Sequence, residues 1–201
     1  MSKIPIIILA AGASSRMGSA KQLLNWGGKT LIEHTLQTAL NTISNDVIVV
    51  LGANYELIRK KITALSITIL HNQEWEQGLG KSIASGVNYI MEFNPHADGV
   101  LIILADQPLI DSAYLNELIQ VFNPSKNQII ATSYKNDTYG VPVLFDKGYF
   151  KELSKLKNDK GAKHLLTQNE SFVKTLVPPI KNVDLDSKED YDMLYQANFK
   201  K

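Results

Sequence analysis

Short, strongly apolar runs alternate with amphipathic segments along most of this chain. The runs lie at 4–9, 46–51, 67–70 and 100–104, and a further strand is predicted at 128–133. Strands without polar alternation must be buried on both faces, and a parallel sheet covered by helices on both sides provides that burial. The pattern predicts an α/β fold: a single three-layer domain with a mostly parallel sheet, in which the most apolar run, 100–104, is central.

The last third of the chain departs from this alternation. Pro142 interrupts a strand-like run at 139–145, and because proline cannot donate to a sheet ladder, an antiparallel element is expected there. A turn is predicted at 136–137, helices at 147–157 and 161–168, and a strand at 172–177. We find no internal repeat, linker or low-complexity segment, so residues 1–201 are predicted to form one domain.

Residues that cap helices mark several helix starts. Thr30 and Glu33 have the spacing of a capping box. The other predicted starts are Asn54, the pair Asp111 and Ser112, and Ser187, and a further helix is predicted to begin at about Ser82.

Composition excludes several classes of protein. The chain has 201 residues, no cysteine and a net charge of +1. Disulfides, thiolate catalysis and cysteine-ligated metal centres are therefore excluded, and no electrostatic attraction to nucleic acid or membrane is expected. No signal-peptide pattern and no run long enough to span a bilayer is present, so a cytoplasmic protein is predicted.

The stretch 9–24 concentrates groups that bind phosphate. A predicted strand ends in Ala10, Ala11 and Gly12, whose small side chains allow a ligand to approach the backbone closely. The hydroxyls and cations that follow belong to Ser14, Ser15, Arg16 and Lys21. Amide groups, hydroxyls and cations together predict a polyphosphate cradle. The alternative is an ordinary strand-to-loop turn with solvated charges.

Three aspartates are candidate metal ligands. Asp106 directly follows the most apolar run, and a carboxylate that faces polyphosphate needs a cation between them, for which Mg²⁺ is suited. Asp184 and Asp186 alternate around Leu185, which would place both carboxylates on one face of a short strand. Asp186 is the preferred second ligand. The alternative roles are a turn or cap for Asp106, and a cap of the last helix for Asp186.

Other common site motifs do not match. The Gly-Lys-Thr at 28–30 and the Gly-Lys-Ser at 80–82 resemble the end of a P-loop, but the glycine required five positions earlier is Leu23 in one and Trp75 in the other. No Gly-x-Gly-x-x-Gly follows the first strand. The four histidines are scattered and lack metal-binding spacing.

The motifs together resemble the molybdenum cofactor nucleotidyltransferase family. The opening Leu-Ala-Ala-Gly-x-Ser-Ser-Arg-Met-Gly-x-x-Lys-x-Leu-Leu at 9–24 carries the resemblance. It continues, in the family's order, through the blocks at 26–31, 77–83, 104–108, 139–145, 159–163 and 183–186. The resemblance implies a Rossmann-like fold of the nucleotide-diphospho-sugar transferase type. It also implies transfer of a nucleoside monophosphate to a phosphorylated acceptor, with release of pyrophosphate.

The resemblance also implies roles for individual residues. Arg16, Lys21 and Asp106 would be catalytic, and Mg²⁺ would be held by Asp106 with Asp186 or Asp184. Lys160 and Lys163 would bind the acceptor. The implied nucleotide-binding residues are Leu9, Ala10, Ala11, Gly12, Ser14, Ser15, Arg16, Lys21, Gly78, Gly80 and Ser82.

Leu-Ala-Ala-Gly at 9–12 is typical of the cytidylyl-transferring branch of the family, whereas guanylyl transfer usually accompanies Leu-Ala-Gly-Gly. The implied substrates are CTP and molybdopterin, and the implied further partner is a molybdoenzyme or its chaperone. The alternatives are GTP as donor, another small phosphorylated acceptor, or a non-catalytic protein that binds the cofactor. A nicotinamide-dependent oxidoreductase is disfavoured because the glycine fingerprint is missing.

Overall fold

The computed structural model describes residues 2–44, 46–134, 138–157, 161–178 and 184–200, without the side chain of Arg16. The strands in this part of the chain are β1 (Ile6–Ala10), β2 (Asn25–Trp26), β3 (Lys29–Thr30), β4 (Val47–Leu51), β5 (Thr68–His71), β6 (Gly99–Leu104), β7 (Ile129–Ser133), β8 (Tyr139–Asp146) and β9 (Val173–Leu176). The helices are α1 (Leu31–Leu40), α2 (Tyr55–Ile62), α3 (Leu79–Phe93), α4 (Ser112–Gln120), α5 (Phe150–Leu153), α6 (Lys163–Gln168) and α7 (Lys188–Phe199).

The main sheet has seven strands in the order β5-β4-β1-β6-β8-β7-β9. The strands β5, β4, β1 and β6 are parallel, and β6 is the central strand, as its apolar sequence predicts. Strand β8 runs antiparallel to both β6 and β7, which confirms the predicted antiparallel element. Pro142 lies where the β7–β8 register shifts, so its missing N–H costs no ladder bond.

Helices cover both faces of the sheet and create the three predicted layers. Successive residues of β1 serve opposite faces: Ile6 and Ile8 pack with α1, α2 and α4, whereas Ile7 and Leu9 pack with α3, α5 and α6. All five β1 residues are buried, which explains why the strand lacks polar alternation. No helix in the described part of the chain is long and apolar enough to cross a membrane.

Most predicted helix starts are confirmed. The capping box of Thr30 and Glu33 is present, and Asp111 and Ser187 accept hydrogen bonds from the first turns of α4 and α7. The prediction for Asn54 is wrong in mechanism. Its backbone is left-handed, with φ 58°, and its side chain makes no cap hydrogen bond.

Four other predictions need correction or lie outside the described residues. Helix α3 begins at Leu79, not at Ser82, because the preceding Gly78 has φ 100° and supplies the turn. Within the predicted helix 147–157, only a 3-10 turn at Lys147–Tyr149 and the short α5 are helical. Residues 184–186 are not a strand. The predicted turn at 136–137 lies outside the described residues.

Candidate functional site

A cavity of about 450 Å³ lies at the carboxyl edge of the parallel strands, where ligands bind in such sheets. The loops after β1 and β6, the start of α3 and the segment before α7 all contribute to it. Its lining residues are Leu9, Ala10, Ala11, Gly12, Lys21, Gln22, Trp75, Glu76, Gly78, Leu79, Ser82, Leu104, Ala105, Asp106, Asp184 and Asp186.

A buried glutamine holds the loop that follows β1. The side-chain amide of Gln22 donates hydrogen bonds to the carbonyls of Ala10, at 3.1 Å, and Gly12, at 2.9 Å. Gln22 is 2% exposed, so these bonds satisfy an amide that water cannot reach. Sequence reasoning missed this residue, because nothing in the neighbouring residues indicates that its side chain is buried.

Gly12 leaves space that a ligand can fill. A Cβ built on this residue would meet no protein atom within 4 Å, yet the residue lines the cavity. The Gly12→Ala substitution should therefore change stability by no more than ~0.5 kcal/mol, as for a surface substitution. Nucleotide affinity, by contrast, should fall because the methyl group projects into ligand space. Thermal unfolding and titration calorimetry of the same variant measure both effects, and unchanged nucleotide affinity would contradict the assignment.

Lys21 and Asp106 form an ion pair at the floor of the cavity. The Lys21 Nζ lies 2.5 Å from Asp106 Oδ2 and 3.2 Å from the carbonyl oxygen of Leu185, to which it also donates. Their side chains are 18% and 16% exposed. The Leu185 N–H donates in turn to the Asp106 carbonyl, at 3.0 Å. Lys21 and Asp106, which are far apart in sequence, are thereby both hydrogen-bonded to Leu185 in the segment before α7.

The second carboxylate oxygen of Asp106 lacks a partner. Asp106 Oδ1 is buried and accepts no hydrogen bond from any described residue. A buried unsatisfied acceptor costs free energy unless a ligand, an ion or water completes it. The oxygen is therefore suited to bind a cation.

Asp184 lies near two other carboxylates and is held by a glutamine that sequence reasoning missed. Gln107 is 4% exposed, and its Nε2 donates to Asp184 Oδ1 at 2.8 Å. Desolvation raises the pKa of Asp184, and the negative charges of Asp106 and Asp186 raise it further. The Gln107 hydrogen bond and the Lys21 charge lower that pKa but do not cancel the increase. The site therefore disfavours an isolated negative charge at this position.

The raised pKa of Asp184 predicts a pH-dependent stability. Above the ordinary aspartate pKa, about 4, the folded state binds more protons at this carboxyl than the unfolded state does. The free energy of unfolding should therefore fall as pH rises from about 4 to the raised pKa. Urea unfolding across this interval measures the slope, and Asp184→Asn should remove part of it. An identical slope in the variant would contradict the prediction.

The opposite wall is formed by the loop before α3. Trp75 packs directly on Gly52, where an added Cβ would lie 2.4 Å from the Trp75 Cβ and 2.7 Å from the Ala11 carbonyl oxygen. Behind the wall, the Asn72 amide donates to the Ser82 hydroxyl at 3.0 Å. Trp75 and Glu76 line the cavity but were not among the predicted site residues.

The structure brings most of the predicted residues together. The predicted residues that line the cavity are Leu9, Ala10, Ala11, Gly12, Lys21, Gly78, Ser82, Asp106, Asp184 and Asp186. Those that do not line it are Ser14, Ser15, Gly80 and Lys163. The side chain of Arg16 and all of Lys160 lie outside the described residues.

The three predicted aspartates do not together form a metal-binding cluster. Among the described residues, no group of three or more His, Asp or Glu side chains is arranged to hold a metal ion. Mg²⁺ does not need such a cage, since it usually takes one or two carboxylates and completes its shell with phosphate oxygens and water. Asp106 together with Asp184 or Asp186 could supply the one or two carboxylates that Mg²⁺ takes.

Comparison with known proteins identifies the family. Residues 6–172 match the MobA-like NTP transferase domain. The chain belongs to this family. It is therefore a nucleotidyltransferase, as the sequence motifs imply, and its fold is the nucleotide-diphospho-sugar transferase type. The family match ends before α7.

Individual relatives extend over nearly the whole chain. The purine catabolism protein PucB of Bacillus subtilis is 31% identical over 205 residues, covering 95% of each chain. The nicotine blue oxidoreductase of Paenarthrobacter nicotinovorans is 29% identical and covers 94% of this chain and 92% of its own. Its name describes a redox activity for that protein.

A solved relative has the same fold. Rv0371c from Mycobacterium tuberculosis superposes with a TM-score of 0.81 at 29% identity, covering 97% of this chain and 98% of its own. Rv0371c has also been solved in complex with manganese, and that structure superposes with a TM-score of 0.78 at 28% identity, covering 98% of this chain and all of its own.

Proposed function

We propose that this nucleotidyltransferase moves CMP from CTP to the terminal phosphate of molybdopterin and releases pyrophosphate. The observation that carries the proposal is the convergence of Lys21 and Asp106 with the small-residue loop 9–12 in one cavity. These groups match the demands of a triphosphate: an accessible backbone, a cation and a carboxylate that can share a metal ion with phosphate.

Lys21 can serve Asp106 and the nucleotide together. An ammonium group has three donors. Two of them are used by Asp106 and the Leu185 carbonyl, so one remains for a phosphate oxygen. The cation thereby lowers the repulsion between the aspartates and an incoming triphosphate, and it stabilises the charge on the departing pyrophosphate.

A divalent cation fits the carboxylates of this site. Asp106, with its unpartnered Oδ1, and Asp186 or Asp184 would hold Mg²⁺. When bound, the ion neutralises the charge of the triphosphate at the α-phosphate. The acceptor's phosphate oxygen forms a bond to the α-phosphorus as the bond to the bridging β-phosphate oxygen breaks. Since the attacking phosphate is already anionic, the protein positions it and needs no general base.

Ala11 supports the choice of CTP. It lines the cavity and is 8% exposed, and its carbonyl accepts a hydrogen bond from the Ala53 N–H at 2.9 Å. The loop is therefore fixed by the Gln22 side chain and by the Ala53 N–H. In this fixed loop, the Ala11 methyl group narrows the cavity relative to a glycine. A narrower cavity disfavours a purine base.

An adjoining pocket offers a place for the acceptor. It has a volume of about 200 Å³ and shares Leu9 and Leu79 with the nucleotide cavity. Val141 and Leu166 contribute to its apolar lining, and Lys163 supplies a cation for an anionic group. The pocket therefore has room and a cation for a phosphorylated acceptor, which we propose to be molybdopterin.

The deciding experiment is a thermal-shift comparison of CTP, GTP, ATP and UTP, each with and without Mg²⁺. A ligand that binds the folded state raises the melting temperature by mass action. We expect the largest, Mg²⁺-dependent shift with CTP, followed by pyrophosphate release when molybdopterin is added. The Gly12→Ala variant, whose added methyl group projects into the cavity, should show a smaller CTP-induced increase in melting temperature.

The other outcomes identify the alternatives. A preference for GTP would keep the reaction and overturn the role of Ala11. Turnover with a sugar phosphate but not with molybdopterin would assign another acceptor. Nucleotide binding without pyrophosphate release would indicate a non-catalytic carrier. Binding of NADH in place of nucleoside triphosphates would favour the redox activity for which the Paenarthrobacter relative is named.

A further inference from the structure

Helix α7 is attached to the domain through an aromatic cluster. Trp26 of the β2–β3 hairpin is 4% exposed, and its ring centroid lies 6.5 Å from that of Tyr191, 6.1 Å from Tyr195 and 5.2 Å from Phe199. No residue of α7 is fully buried. The helix therefore depends on this one face for its position.

Hydrogen bonds and a close approach reinforce the attachment. The Tyr191 hydroxyl donates to the Asn25 carbonyl at 2.7 Å, and the Asn25 amide donates to the Tyr195 hydroxyl at 2.9 Å. A Cβ on Gly27 would lie 2.6 Å from the Phe199 ring, so the hairpin admits the helix only because glycine stands there. We call Trp26, Tyr191, Tyr195 and Phe199 the aromatic clasp.

The two segments that form the clasp, the β2–β3 hairpin and α7, are both close in sequence to residues that line the cavity. The hairpin begins shortly after Lys21, and α7 begins with the cap residue Ser187, next to Asp186. Leu185 joins the two sides. Its side chain is fully buried in a small apolar cluster with Trp26 and Leu31.

The backbone of Leu185 is bonded on both sides. Its N–H donates to the Asp106 carbonyl, and its carbonyl accepts from Lys21 Nζ. Asp184 and Asp186 flank this buried residue and both line the cavity. Because 184–186 is not a strand, no ladder fixes the backbone of this segment. The buried leucine fixes the backbone instead, and the Gln107 amide orients the Asp184 side chain in addition.

We infer that the aromatic clasp and Leu185 are positioning elements that hold Asp184 and Asp186 at the nucleotide cavity. The inference rests on the proposed function for the metal-dependent nucleotide it invokes. The contacts themselves do not depend on that function, and of the residues involved only Leu185, its flanking aspartates and helix α7 lie beyond the range matched to the family, residues 6–172. Outer contacts that orient metal ligands typically contribute about 10- to 100-fold to metal affinity.

The test compares three variants of the full chain. Tyr195→Ala/Phe199→Ala removes two partly exposed clasp rings. Met193→Ala removes a side chain of the same helix that is 66% exposed and outside the clasp. Tyr195→Phe keeps both rings and removes only the hydroxyl that accepts the Asn25 hydrogen bond. Hydrogen exchange of the Leu185 amide and CTP affinity with and without Mg²⁺ are measured on each.

We expect the double-alanine variant to exchange the Leu185 amide faster and to lose about 10-fold of the Mg²⁺-dependent gain in CTP affinity, with metal-free affinity unchanged. Met193→Ala should match the wild type, and Tyr195→Phe should lie much closer to the wild type than the double-alanine variant does. Unchanged exchange, or faster exchange with an unchanged Mg²⁺-dependent gain, would overturn the positioning role. A wild-type protein without Mg²⁺-dependent CTP binding would overturn the proposed function as well, so the two failures are distinguishable.

Discussion

Replacing Asp106 with alanine is expected to reduce turnover by about 10²–10³-fold, the usual cost of removing a group that stabilises transition-state charge. The carboxylate is the partner of Lys21 and carries the buried, unpartnered oxygen available to a cation. Its loss removes both functions, while its backbone carbonyl still accepts from the Leu185 N–H. Catalysis should therefore suffer far more than folding, as pyrophosphate release and thermal unfolding would measure.

Two further variants separate charge from structure. Asp106→Asn keeps an acceptor for Lys21 but not the negative charge, and it should lose nearly as much turnover as the alanine variant. Asp111→Asn is the matched control, because Asp111 caps α4 through its side chain and asparagine caps equally well. Near-normal turnover of Asp106→Ala at saturating Mg²⁺ would rule out the assigned role.

Replacing Lys21 with methionine is expected to lower turnover by about 10²-fold or more and to weaken binding of the Mg²⁺-nucleotide complex. Methionine fills a similar volume but leaves three aspartates in the cavity wall without their nearby cation. The pKa of Asp184 should rise further, because the Lys21 charge lowers it in the wild type. Pyrophosphate release measures the loss of turnover, and titration calorimetry with CTP at several pH values measures the weaker binding and the change in the Asp184 pKa.

The control for this variant is Lys29→Met, which removes an exposed lysine of the β2–β3 hairpin outside the cavity lining. It should bind CTP like the wild type. Equal effects of the two substitutions would mean that Lys21 acts only through the net charge of the protein. A normal Mg²⁺-nucleotide affinity in Lys21→Met would remove this residue from the proposed site.

The architecture could be predicted from local patterns because it depends on local physics. The apolar runs become buried strands, since a segment without polar alternation has no face that can remain in water. Pro142 was also a local signal, because its missing N–H cannot take part in a regular ladder and therefore indicates an irregular strand. Element ends were less predictable: Gly78, with φ 100°, starts α3 earlier than the side-chain pattern suggests.

The part of the cavity lining that lies in one stretch was the most predictable. Of the residues of 9–21 that the sequence assigns to phosphate binding, the small residues of 9–12 and Lys21 line the cavity, whereas Ser14 and Ser15 do not. Gln22 and Gln107 could not be assigned in the same way. Their roles arise from burial, which makes a single amide hydrogen bond important, and burial depends on residues distant in sequence.

From the residues alone we could predict the α/β class, a phosphate-binding role for the loop after β1, and a carboxylate, Asp106, shortly after the central strand. Each follows from the chemistry of consecutive residues. The family resemblance already implied that Asp106 and Asp186 or Asp184 lie together, but the ion pair of Lys21 with Asp106 and the anchoring of 184–186 through Leu185 are visible only in the folded chain. Segments separated by most of the chain meet there because Leu185 is buried against Trp26, and a long-range hydrophobic contact of that kind leaves no signal in local sequence.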